Sequence, residues 1–143
     1  MLSGLLAAAL IAIAALTQAA PVAGQDRLRP PDAVACDRSE LRLYAGQVIA
    51  YERLERELRL TIATDWNTEE RVTLRPAGEG RIEGRMLLRG RAFAPEDWSA
   101  IEAEPGRIRE GVRVAAWICE GPVEPLLDWQ PPREGGERPR RSP

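Results

Sequence analysis

The chain has 143 residues, with 20 basic and 22 acidic side chains, a net charge of −2 and no histidine. This near balance predicts no general attraction to nucleic acids or acidic membranes. The lack of histidine excludes Ser-His-Asp and Cys-His catalysis and histidine-based zinc or haem ligation, and two methionines leave copper without its soft ligands. The composition therefore suggests no metal and no cofactor.

Residues 1–24 contain no charged side chain and are typical of a signal peptide. An apolar run from Leu5 to Leu16 precedes small residues, with cleavage expected after Ala19 or Gly24. We therefore expect a periplasmic or secreted protein. The alternative is an uncleaved membrane anchor, since the apolar stretch approaches the roughly 20 residues that cross a bilayer; Pro21 and a polar Thr-Gln pair argue against it.

Residues 25–40 form a predicted extended N-terminal segment, because the Pro30-Pro31 pair cannot continue a helix. The two cysteines are Cys36 and Cys119. In an exported chain such a pair predicts a disulfide, and closing a loop of this length stabilises a fold by roughly 4 kcal/mol. The spacing offers no Cys-x-x-Cys motif that would activate a thiol.

A series of short strands is predicted next. Two stretches have the period-two pattern of a strand and are joined by residues 53–56, which indicates a hairpin. In residues 47–52, Gln47, Ile49 and Tyr51 alternate with Val48, Ala50 and Glu52, and in residues 58–63, Leu58, Leu60 and Ile62 alternate with Arg59, Thr61 and Ala63. The stretch 65–68 supplies turn residues, and residues 71–75 form a third strand that stops at Pro76. A weaker strand is predicted over residues 85–93.

A helix of about ten residues is predicted from Pro95, with acidic residues in its first turn and an end at Pro105-Gly106. Residues 111–119 then form the clearest strand. If its Val/Ile face is the core, Cys119 points outward beside Trp117, and the disulfide carries the N-terminal segment across the outside of the sheet. From Asp128 onward the chain reads as a polar tail, with residues 130–143 predicted to be disordered.

Five short strands with one helix inserted before the last of them resemble the OB-fold, a small five-stranded Greek-key barrel. The resemblance covers Leu41 to Glu120 and rests on element order and on the strand entry at Gly111-Val112-Arg113-Val114. It implies a mainly β fold, with an OB-like barrel domain over residues 41–129, and a binding or scaffold role. An open β-sandwich or meander sheet is the alternative.

Two candidate sites share the turn at residues 65–68. Trp66 lies between Asp65 and Asn67, which suits saccharide recognition, whereas the simpler interpretation is a Trp66 that folds back onto the barrel. Asp65, Glu69 and Glu70 could instead supply the paired carboxylates of a hydrolase.

The prediction is therefore an exported, non-catalytic binding or accessory module of the cell envelope. Its partner would be a saccharide, a peptide or an envelope protein, and not a nucleic acid. The alternatives are a small carboxylate-based hydrolase near Asp65 and a membrane-tethered assembly factor that keeps its signal segment.

Overall fold

A computed structural model describes residues 29–133, so the predicted signal peptide and residues 134–143 of the predicted tail lie outside the described part. Within it, no helix has the length and apolar character needed to cross a membrane. Three short 3-10 helices cover Arg38–Glu40, Ile82–Arg85 and Pro95–Asp97, and one α-helix, α1, covers Trp98–Ile101. The strands are β1 (Leu41–Arg53), β2 (Leu58–Thr64), β3 (Glu69–Leu74), β4 (Met86–Leu88), β5 (Arg91–Ala92), β6 (Glu102–Glu104), β7 (Arg107–Ile108), β8 (Arg113–Cys119) and β9 (Leu126–Gln130).

Seven strands form one mixed sheet in the order β3-β2-β1-β8-β9-β4-β5, and β6 and β7 form a separate small hairpin. All neighbours in the large sheet are antiparallel except β4 and β9, which run parallel. The prediction of a mainly β protein is confirmed. Among the described strands, β3 and β5 end the sheet without a further partner, so a closed barrel is not observed.

The two halves of the sheet share one hydrophobic core. Val72 and Leu74 of β3 belong to the same buried cluster as Met86 and Leu88 of β4, although these strands are far apart in the sheet order. The sheet must therefore curve so that both regions face the same interior. Trp129 of β9 is the largest fully buried side chain in this core.

The predicted first hairpin is confirmed, with β1 paired to β2 from Gly46↔Thr64 to Arg53↔Leu58. The simple alternation predicted for β1 is wrong in detail, because a register shift lies between Val48 and Ala50. A β-bulge adds one residue and changes which face the later side chains use. Val48 is therefore buried, Ile49 is half exposed, and Tyr51 again packs against the core.

Gly46 allows the close approach of β1 to β2. A Cβ atom at this position would lie 2.7 Å from the Cα atom of Thr64 and 2.8 Å from the carbonyl carbon of Ala63. Real side chains do not fit at such distances, so glycine is the residue that this part of the strand permits. The bulge that follows lets β1 bend where its pairing with β8, which ends at Gln47, gives way to pairing with β2 alone.

The predicted helix is shorter than expected. It begins at Pro95 as a 3-10 turn, continues as α1 and ends at Ile101, and Glu102 then enters strand β6 and pairs with Ile108. A single helical turn has little stability of its own. The tight turn around Gly106 allows the backbone beyond Ile101 to pair as a hairpin instead.

The strand predicted over residues 111–119 is present as β8, which begins two residues later at Arg113, and the predicted disulfide is confirmed. Cys119 pairs with Leu41 in the sheet, and its disulfide with Cys36 brings the N-terminal segment to this end of the sheet. Trp117 is buried to 5% exposure but lies outside the main core cluster, as expected for a side chain on the opposite face.

The predicted polar tail begins too early. Asp128, Trp129 and Gln130 belong to β9, which pairs with β8 on one edge and with β4 on the other. Trp129 is fully buried, and Pro131 is buried as well. The strand persists because Leu126, Leu127 and Trp129 are buried and both of its edges are paired.

Candidate functional site

One cleft lies between the end of the β1–β2 hairpin, residues 79–83, Trp98 and the Pro105-Gly106 turn. Its volume is about 700 Å³. This size is within the range of ligand-binding clefts in proteins. Strand β1 contributes Arg53 to the wall, and the connection after it contributes Leu54, which is 42% exposed.

A buried carboxylate supports the wall of this cleft. Glu102 is only 4% exposed, and its Oε1 atom accepts a hydrogen bond of 2.6 Å from the Tyr51 hydroxyl. The same oxygen lies 2.9 Å from Nε of Arg53. Tyr51 and Arg53 can share this partner because they are two residues apart on one strand and project from the same face. The buried charge of Glu102 is thus paired, as burial requires.

Burial raises the pKa of the Tyr51 hydroxyl above its usual range, and the hydrogen bond to Glu102 adds to the shift. Tyr51 therefore remains protonated and acts as a donor. The Tyr51 hydroxyl and Nε of Arg53 both contact the Glu102 carboxylate. These contacts hold the Tyr51 and Arg53 side chains in fixed positions.

Trp98 forms the second half of the wall. The Arg53 guanidinium carbon lies 4.1 Å from the centre of the Trp98 ring, and the Phe93 ring packs edge-on against Trp98 with the centroids 5.1 Å apart. Trp98 Nε1 donates a 3.0 Å hydrogen bond to Glu83. The indole N–H of Trp98 therefore has a hydrogen-bond partner. The Arg53 guanidinium covers one face of the Trp98 ring beside the cleft.

The charge of Glu83 is stabilised despite partial burial. Burial by itself would raise the pKa of Glu83, but hydrogen bonds from its own backbone N–H and from Trp98, together with nearby Arg81, lower it overall. Arg81 lies 3.5 Å from Glu83 and is 76% exposed at the rim. The cleft wall thus holds an ionised carboxylate at neutral pH.

The cleft as a whole carries balanced charge. Its lining places three arginines, Arg53, Arg56 and Arg81, against three glutamates, Glu55, Glu79 and Glu83. Guanidinium groups only donate hydrogen bonds and carboxylates only accept them. The site can therefore bind a polar ligand that offers both donors and acceptors and carries little net charge.

The short helical segment beside the cleft is anchored by Asp97, which is 8% exposed. Its carboxylate accepts two hydrogen bonds from Arg91, of 2.8 and 2.7 Å, and one of 2.7 Å from the backbone N–H of Ala94. The Arg91 guanidinium lowers the pKa of Asp97 most, and the Ala94 N–H lowers it further, against the opposing effect of burial.

These lowered pKa values predict how stability depends on pH. Asp97 and Glu83 bind protons more readily in the unfolded chain, so their contribution is complete above about pH 5 and is lost as the pH falls below about 4. Without histidine, no side chain with an ordinary pKa titrates between about pH 5.5 and 8. We expect the urea midpoint to be flat across that range and to fall in acid. Asp97→Asn should flatten the acid limb; an acid limb that this change leaves intact would contradict the assignment.

The predicted saccharide site at Asp65, Trp66 and Asn67 lies in the β2–β3 turn. Trp66 is 61% exposed, so the interpretation in which it folds back onto the sheet is wrong. Asn67 adopts a left-handed backbone conformation with φ of 61°, which asparagine tolerates well. The Asp65 carboxylate is occupied by Arg113, with both oxygens within 2.8 Å of one guanidinium nitrogen.

The three acidic residues of the hydrolase hypothesis are not brought together by this turn. Asp65 faces Arg113, while Glu69 and Glu70 are successive residues of β3 and project from opposite faces of the strand. Within residues 29–133, no group of three or more acidic or cysteine side chains is arranged to hold a metal ion.

Sequence reasoning did not identify the group of residues that supports the wall of the cleft. Tyr51 was a recognisable polar aromatic residue without an obvious partner, and Glu102 was assigned to a helix. The available signal was the Tyr-x-Arg spacing at the end of the predicted strand over residues 47–52, which places both side chains on one face only if the strand continues through Arg53. Nothing local indicates that Glu102, 51 residues further along the chain, completes the group.

Comparison with protein-family models, curated proteins and solved structures gives no match for this chain. The functional interpretation therefore depends on the geometry described above.

Proposed function

We propose that this protein is an exported, non-catalytic binding or accessory module of the cell envelope, and that its ligand is an extended peptide segment held in the cleft beside Arg53 and Trp98. The observation that carries the proposal is the paired group of Tyr51, Glu102 and Arg53, which fixes one wall of the cleft. A side chain held by a buried partner keeps its position before the ligand arrives, and such preorganisation favours binding.

The balanced lining favours a peptide over the other ligands. A peptide backbone offers N–H donors and carbonyl acceptors in alternation, which complements a wall that places guanidinium and carboxylate groups side by side. Leu54 adds an exposed apolar contact for a side chain of the ligand. A saccharide would need an open aromatic face for stacking, and in this cleft Arg53 covers a face of Trp98.

The OB-like barrel is retained as part of the proposal. Strand β3 ends at Leu74 and β4 begins at Met86 on the far side of the sheet, and both contribute to one core. If they are counted as one interrupted strand, α1 falls between the third and fourth strands of a five-strand order. That is the position of the helix in the OB-fold, and the parallel pairing of β4 with β9 would then join the two sides.

Export is supported by the disulfide and by the apolar N-terminal sequence. Disulfides form and persist in oxidising compartments, and the periplasm is one of these. The carboxylates near Asp65 do not converge, so no geometry favours the hydrolase as a second candidate function.

Arrays of short random peptides and of oligosaccharides, probed with the oxidised protein, test the ligand class. We expect peptides to be retained in preference to saccharides. Arg81→Ala removes an exposed guanidinium from the rim. It should lower the affinity for the selected peptides by about tenfold, the loss typical of one hydrogen bond to a charged group.

Arg42→Ala is the matched control, because Arg42 is similarly exposed and pairs with Glu120 outside the cleft. It should leave peptide affinity unchanged. Retention of oligosaccharides without peptides would overturn the proposed ligand, and equal losses in the two variants would show that binding reflects overall charge.

A further inference from the structure

A second cleft lies between the β4–β5 turn, α1 with the residues after it, and the chain that follows β9. Its volume is about 820 Å³. Three arginines line it, Arg89, Arg109 and Arg133, against the single carboxylate of Glu110. In contrast to the balanced first cleft, this lining has an excess of positive charge.

Two arginines of this second cleft, Arg89 and Arg109, donate hydrogen bonds to backbone carbonyl groups. Arg89 donates a 2.8 Å hydrogen bond from one terminal nitrogen to the carbonyl oxygen of Pro131, and Nε of Arg109 donates one of 2.9 Å to the carbonyl oxygen of Ser99. Across the described residues neither side chain forms an ion pair, whereas nine other arginines do. A carbonyl anchor orients a guanidinium without neutralising its charge and leaves other donors for a ligand.

The backbone at Arg89 adds an independent observation. Arg89 and Gly90 form the two-residue β4–β5 turn with φ values of 47° and 81°, both in the left-handed region. Turns of this kind favour asparagine, aspartate or glycine at the first position, because a Cβ atom is strained there. Residues held in such strained backbone conformations cluster at functional sites.

We infer that this second cleft binds a phosphoryl group carried by a small molecule or a lipid headgroup. A phosphate mono- or diester presents several acceptor oxygens and one or two negative charges, which suits arginines that line one cleft from separate elements. The site is distinct from the peptide cleft and does not depend on the function proposed for it.

Calorimetric titration with inorganic phosphate at low salt is the first test, with sodium chloride of equal ionic strength as reference. We expect saturable binding that Arg109→Gln weakens by about tenfold or more. Arg71→Gln is the matched control, because Arg71 is an exposed arginine on β3 that does not line this cleft. No saturable response beyond that of chloride, or equal weakening by both variants, overturns the inference.

Arg89→Asn separates binding from folding. Asparagine suits the left-handed turn, so the melting temperature should be kept or raised while phosphate affinity falls. A lower melting temperature with unchanged phosphate affinity would assign Arg89 to stability and overturn its role here.

Vesicle flotation identifies the source of the group. Binding to phosphatidylglycerol vesicles, but not to phosphatidylcholine vesicles, with loss in Arg109→Gln would assign an anionic lipid headgroup. Phosphate binding without vesicle binding would assign a soluble phosphorylated compound. If Arg109→Gln and Arg71→Gln weaken vesicle binding equally, the binding reflects charge alone. That result would contradict the assignment of a headgroup site to this cleft.

Discussion

Removal of the Cys36–Cys119 disulfide is expected to lower the free energy of unfolding by about 4 kcal/mol. The bond joins residues 83 positions apart, and in the chain-entropy model a loop of this length restricts the unfolded chain by that amount. A domain of this size has a total stability of only about 5–15 kcal/mol, so the loss is a large fraction of it. The N-terminal segment, which is tied to the sheet through Cys36, would lose its covalent attachment.

Urea denaturation of the oxidised protein and of the Cys36→Ala/Cys119→Ala double variant measures this effect. The double variant is preferable to either single change because it leaves no free thiol. A non-reduced mass spectrum, two hydrogens below the reduced mass, confirms that the reference protein carries the bond. Reduction of the wild-type chain should reproduce the result of the double variant. Equal urea midpoints for oxidised and reduced protein would show that the bond does not stabilise the fold.

The strands of the first half of the domain could be predicted because their signal is local. In β2, Leu58, Leu60 and Ile62 alternate with polar side chains, and all three are buried in the structure. The disulfide could also be predicted, because an even number of cysteines in an exported chain indicates a disulfide. Each inference needed only the period of a strand or the identity of a residue.

The features that failed depend on long-range pairing. The bulge after Val48 changes which face of the sheet the later side chains of β1 occupy, and no nearby residue in the sequence indicates it. The helix ends early because the backbone after Ile101 forms a hairpin in which Glu102 pairs with Ile108, and the buried Glu102 side chain also accepts a hydrogen bond from Tyr51. The candidate cleft also depends on long-range pairing, since its wall joins Tyr51 and Arg53 of β1 to Glu102.

Trp129 illustrates the same limit at the end of the chain. From Asp128 onward the sequence is rich in charged residues, proline and glycine, so composition favours a tail. In the structure the segment 126–130 is inserted between β8 and β4, and that position supplies hydrogen-bond partners on both edges. Composition describes the segment, but the sheet order decides its burial.

Trp129→Ala is the second change with a large expected effect, a loss of about 3–5 kcal/mol in the free energy of unfolding. The side chain is fully buried, belongs to the main core and packs edge-on against Tyr51 with ring centroids 6.3 Å apart. Its removal would leave a large cavity between the two halves of the sheet, which the surrounding strands cannot fill without moving. Tyr51 would also lose a packing partner, so the wall of the candidate cleft should loosen.

Trp129→Phe is the matched control because it keeps an aromatic ring in the core. Among the described residues the Trp129 indole N–H has no hydrogen-bond partner, so its removal leaves no group unpaired and part of the packing loss is offset. We expect Trp129→Phe to cost clearly less than Trp129→Ala in urea denaturation. Near-UV circular dichroism should show a native aromatic environment in the phenylalanine variant. If both variants unfold at the wild-type urea concentration, Trp129 is not a core residue, and the prediction of a polar tail from Asp128 onward would be restored.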